Sequence, residues 1–117
     1  MEFRDLLNQA KTVRDKYTIL SRTEGFKTWG PKEHTQGLVG DVGDLMKLVM
    51  AKEGYWIQDA DIDTKLKHEL ADCLYSILII SDELGINLEQ EFLKTMNELK
   101  GRISEREVIL NNDEETK

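Results

Sequence analysis

Apolar residues recur along this chain at helical spacing, with almost no alternating stretches. Phe3, Leu6, Leu7, Ala10, Val13, Tyr17 and Leu20 share one face and leave the opposite face charged. That pattern predicts a first helix over about residues 2–20. Residues 21–30 read as a connection. Pro31 suits the first position of a second helix, because its missing N–H is unpaired there in any case. The second helix is expected over 31–52, with Gly54 as its stop. Asp63 is the expected N-cap of a third helix over 64–84, closed by Gly85. Asn87 and Gln90 resemble a capping box that opens a fourth helix over 88–106. The polar residues 111–117 are expected to form a disordered acidic tail.

The third helix is apolar on nearly every side from Leu70 to Ile80. A helix of that kind is enclosed by protein. Four helices of this length rarely enclose one of their own, so a second copy of the chain is expected to help. The predicted architecture is an all-α four-helix bundle, with residues 1–110 as a single domain completed by homo-oligomerisation. No repeat or dividing linker is visible.

Composition narrows the function. The chain has 117 residues, of which 33% are charged, with a formal net charge of −7. Such an acidic balance argues against a general grip on nucleic acid or an anionic membrane. A small anionic ligand stays open, because a bound metal reverses the local sign. There is no apolar run of about 18 residues for a membrane span and no signal-peptide layout at Met1–Asp5. The single Cys73 has no internal partner for a disulfide. A cytoplasmic protein is the expectation.

Two acidic pairs stand out. Asp41 and Asp44 lie in the second helix, and Glu69 and Asp72 in the third, each pair spaced i, i+3. Such spacing points both carboxylates the same way. Asp41 falls inside the apolar arc of Leu38, Val42, Leu45, Leu48 and Val49, and Asp44 at its edge. Glu69 and Asp72 share a side with Cys73, Ser76, Ile79 and Ile80. Ionised carboxylates in apolar surroundings need positive compensation. Four converging ones suit a hard divalent cation such as Mg²⁺. Against this stands a simpler origin, since acidic pairs arise by chance in so charged a chain. The helix dipole alone also favours Glu69 near a helix start. A di-iron bundle would need Glu-x-x-His pairs, which are absent from the sequence. His34 and His68 are expected at the surface rather than as ligands.

The segment Gly37-Leu38-Val39-Gly40-Asp41-Val42-Gly43-Asp44-Leu45, followed by Glu69-Leu70-Ala71-Asp72-Cys73-Leu74, resembles the MazG-like all-α nucleotide pyrophosphohydrolases. It looks closest to the dCTP pyrophosphatase branch. Leu84-Gly85-Ile86-Asn87-Leu88 is similar to that family's approach to its last helix, and the resemblance spans residues 29–102.

The resemblance implies hydrolysis of a nucleoside triphosphate to monophosphate and pyrophosphate, in a homodimer or homotetramer that clears unwanted nucleotides. Mg²⁺, or Mn²⁺ in its place, would be the cofactor. Asp41, Asp44, Glu69 and Asp72 would be the metal ligands and catalytic residues. One carboxylate, or a water it holds, would help attack the α-phosphorus. The family usually carries Glu where Asp41 and Asp44 stand, so each of these side chains is one methylene shorter. The aromatic residue that follows the first motif in that branch aligns with Ala51. Trp29, Trp56 and Tyr55 are the rings left for base stacking. Lys32, Lys94, Lys100 and Arg102 are the candidate phosphate donors. Two rival classes remain: a binding member of the fold with little or no catalysis, and a helical interaction module with merely solvated acids.

Overall fold

The computed structural model describes residues 1–115, and among them every regular element is a helix. These are α1 (Phe3–Thr23), α2 (Pro31–Lys52), α3 (Ile62–Glu83) and α4 (Leu88–Glu115). None is long and apolar enough to cross a membrane. Met1–Gly85 forms one compact unit, and the chain from Ile86 onward forms a second.

Local chemistry explains the ends. The Asp5 carboxylate accepts the Glu2 N–H at 2.9 Å, placing negative charge where the α1 dipole favours it. Pro31 opens α2 as expected, and Glu33 Oε2 accepts the Gly30 N–H at 3.1 Å. Backbone hydrogen bonds hold the Glu33 carboxyl below its ordinary pKa. At the other end of α2, Gly54 takes φ +93°, and Tyr55 N–H reaches back to Met50 O at 3.0 Å. This is the left-handed termination that glycine alone enters cheaply. Gly25 closes α1 in the same way, with Phe26 N–H on Ser21 O at 2.8 Å.

Two expectations shift. Helix α3 begins at Ile62, so its N-cap is Asp61 and not Asp63. Asp63 lies in the first turn and pairs with Lys52 Nζ at 2.6 Å. Helix α4 runs past Arg106 to Glu115, into the expected tail, because no glycine or proline interrupts it there. The expected disorder of residues 116 and 117 lies outside the described residues. Leu70, Leu74 and Ile77 of α3 remain 54%, 47% and 41% exposed, so this chain alone does not enclose that helix.

In the first unit α2 and α3 pack antiparallel. His34, early in α2, meets Glu83 at the end of α3, while Lys52 at the end of α2 meets Asp63 at the start of α3. That register sets the acidic pairs opposite one another near the middle of both helices. Ile79 is fully sealed, and Cys73, Leu78, Ile62, Ala51 and Ala10 complete the buried apolar set. Arg14 fastens α1 to α3, its Nη1 donating to Asp82 Oδ2 at 2.7 Å.

Candidate metal centre and adjoining cavity

Asp41, Glu69 and Asp72 converge. One carboxylate oxygen from each lies within 4.8 Å of the other two. Glu69 and Asp72 come from successive turns of the α3 face that also buries Cys73 and Ser76. Asp41 comes from the facing stretch of α2. All three side chains are half-buried. The expected fourth member, Asp44, is exposed and stands outside this group. Three residues on, an α-helix is about 60° short of a full turn, and on α2 that offset leaves Asp44 on the exposed side of Asp41. Asp44 instead shares a shallow cleft of about 300 Å³ with Lys47, Leu48, Lys65, His68 and Glu69.

The electrostatics are unbalanced. Glu69 Oε1 is shut off from solvent and has no hydrogen-bond donor among the described residues. Burial pushes the Glu69 carboxyl above its ordinary pKa, and the nearby Asp41, Asp44 and Asp72 push it further. The Cys73 thiol is likewise raised, first by burial and then by Asp41, Glu69 and Asp72, so it stays protonated beside them. His68 Nε2 approaches Asp72 Oδ2 at 3.1 Å from the exposed side. An oxygen-only donor set with a sealed, donor-less oxygen fits a hard divalent cation. A proton shared among the carboxyls is the alternative compensation.

Asp41 and Asp72 also line a cavity of about 450 Å³. Its other walls carry Arg14, Tyr17, Trp29, His34 and Tyr75. This size falls within the roughly 300–1,000 Å³ of small-molecule sites. Arg14 is already neutralised by Asp82, so it offers directed N–H groups more than free charge. Burial raises the Tyr75 phenol, which keeps its O–H as a donor.

Trp29 is the one proposed base-stacking residue that lines this cavity. Trp56 and Tyr55 are exposed in the connection after α2 and do not line it. Lys32 is exposed in the first turn of α2, and Lys94, Lys100 and Arg102 are exposed on α4, in the other unit. His34 corrects the expectation of a surface residue. It is buried, with Nδ1 2.7 Å from Glu83 Oε1. Its sequence neighbours Thr35 and Gln36 gave no hint of burial. Arg14 went unnoticed as a charged position of an amphipathic helix, and Tyr17 because it reads simply as part of that helix's apolar face. Tyr75 and Ser76, one turn beyond Asp72, carried the only available signal.

Comparison with protein-family models, characterised proteins and solved structures yields no match.

Proposed function

We propose that this chain is a Mg²⁺-dependent nucleoside triphosphate pyrophosphohydrolase of the MazG-like kind. The observation that carries the reading is the meeting of the Asp41, Glu69 and Asp72 carboxylates, with one Glu69 oxygen sealed and donor-less and with Asp41 and Asp72 also lining an aromatic-walled cavity. Asp41, Glu69 and Asp72 would hold the cation, which would supply charge neutralisation for the triphosphate and Lewis-acid polarisation of its phosphoryl group. The aromatic walls receive the base, with Trp29 and Tyr17 offering flat faces and Arg14 and Tyr75 offering donors to its edge. A carboxylate oxygen of the cluster takes the proton of the attacking water. The bond from the α-phosphorus to its bridging oxygen breaks, giving monophosphate and pyrophosphate.

The same reading assigns the exposed apolar face of Leu70, Leu74 and Ile77, with Val39, Val42 and Met46 of α2, to a second copy of the chain. One observation favours a rival, a nucleotide-binding protein with slow or no turnover: Asp44 falls short of the cluster.

Product analysis separates the two. Purified protein is incubated with Mg²⁺ and a panel of canonical and modified ribo- and deoxyribonucleoside triphosphates. Monophosphate and pyrophosphate in equal amounts are expected, abolished by chelation. In Asp72→Asn turnover should fall at least about 100-fold, the usual scale for losing a charge-stabilising group, with the fold retained. Mg²⁺-dependent thermal stabilisation without products would favour the binding protein.

A further inference from the structure

The first unit contains one histidine–carboxylate contact in which both partners are largely sealed from solvent. His34 Nδ1 lies 2.7 Å from Glu83 Oε1, with the side chains only 8% and 15% exposed. Neither atom makes a well-directed hydrogen bond, to the other or to any further group among the described residues, so close approach and not a formed hydrogen bond joins them. Such a pair is a poor way to gain stability, since well-packed apolar residues often serve as well or better. Its surroundings suggest another use.

The His34 imidazole meets the Trp29 indole nearly edge to face, with centroids 5.6 Å apart and planes at 69°. The indole also lies over Gly37, one turn on in α2. A Cβ placed at Gly37 would sit 3.5 Å from Trp29 Cζ3, and any longer side chain would crowd the ring. Trp29 belongs to the connection between α1 and α2 and is 56% exposed. His34 and Gly37 thus form the bed on which the ring rests, and Trp29, His34 and Gly37 all line the cavity that Asp41 and Asp72 also line.

We propose that the His34–Glu83 pair is a positioning device that holds Trp29 as a stacking wall of the cavity, against which a planar heteroaromatic ring of the nucleobase class lies. The proposal rests on the nucleotide reading for the identity of that ring. Glu83, fixed on α3, sets the orientation of the imidazole, and the imidazole edge sets the indole. His34 stands about two helical turns, roughly 10 Å, before Asp41 on α2, which sets the pair apart from the carboxylates. The pair should therefore govern binding of base-bearing substrates and leave bond cleavage alone.

The test uses the full chain with Trp56→Phe, which leaves Trp29 as its only tryptophan. Trp29→Ala, His34→Ala and their combination are compared for KM and kcat on the best nucleotide. Competitive inhibition by inorganic triphosphate, which has no ring to stack, is measured alongside. Trp29 emission and its acrylamide quenching are read in the variants that keep the indole. His34→Ala should raise KM about tenfold, within the range of a lost base–aromatic stack, with kcat within about twofold and triphosphate inhibition unchanged. The KM penalty should largely vanish when Trp29 is already Ala. Emission and quenching should shift in His34→Ala and in Glu83→Leu, and return towards the parent in Glu83→Gln, which keeps an oxygen facing Nδ1. If His34→Ala does not fold, His34→Asn keeps a donor near the Nδ1 position, loses the ring, and should show the same emission shift. An undiminished His34 penalty in the Trp29→Ala background, or unaltered emission and quenching on breaking the pair, overturns the proposal. Absence of turnover in the parent protein would instead count against the pyrophosphohydrolase reading, and the emission and quenching results would still decide whether the pair positions Trp29.

Discussion

Asp41 and Asp44 carry the same side chain on the same helix, yet only Asp41 reaches the oxygen cluster. Position on the helix decides this, and a longer side chain brings the second acid nearer, so lengthening should be tolerated. Asp41→Glu combined with Asp44→Glu is expected to keep or raise turnover, and a collapse in kcat would show a site built around the shorter acids. Glu69 makes a separate prediction for the metal-free protein. Its carboxyl holds a proton more tightly folded than unfolded, because burial and three neighbouring acids oppose its charge. Stability from this group is therefore full below the ordinary carboxylate range. It is lost as pH rises from that range through the raised folded value. Glu69→Gln should raise the Tm of chelator-treated protein at about pH 7 and change it little at about pH 4, where wild-type Glu69 is mostly protonated. A lower Tm than wild type at the higher pH would contradict this account. The i, i+3 spacing made the carboxylates legible in the sequence. The His34–Glu83 and Arg14–Asp82 contacts were not, because pairs so distant in sequence, 68 positions for Arg14 and Asp82, form only through the packing register.

Helices were legible where strong punctuation stood beside them. Pro31 and Gly54 bracket α2, and its observed bounds match the expected ones. The start of α3 was harder to see, since Asp59, Asp61 and Asp63 crowd one short stretch and each is drawn to a lysine. Lys65 takes Asp59 and Asp61, and Lys52 takes Asp63. The end of α4 was misplaced because polar composition was read as a stop where no breaking residue exists. Gly54 offers a test at this scale. Nothing lies within 4 Å of a Cβ added there, so its φ of +93° is the sole obstacle to substitution. Gly54→Ala should destabilise by about 1–2 kcal/mol in denaturant unfolding, the cost of a left-handed L-residue. A neutral result would mean that the α2 termination can rearrange without the left-handed turn.

For the whole molecule, the apolar character of α3 predicted enclosure, and the chain on its own leaves Leu70, Leu74 and Ile77 about half exposed. Sequence pattern reports that a surface prefers burial, but it does not say which surface provides it. If a second copy does so, Leu74→Arg should shift the protein toward monomer in sedimentation velocity at micromolar concentration. It should also lower Tm in a concentration-dependent way. An unchanged sedimentation coefficient in an oligomeric parent would move the interface elsewhere.

In the proposed reaction water attacks the α-phosphorus beside Asp41, Glu69 and Asp72. Hydrolysis in ¹⁸O-labelled water with Mg²⁺, followed by mass analysis of both products, tests it most directly. The account predicts label in the nucleoside monophosphate, none in pyrophosphate, and no labelled product from Asp72→Asn. Label in pyrophosphate or in inorganic phosphate, or labelled monophosphate formed equally well by Asp72→Asn, would contradict it.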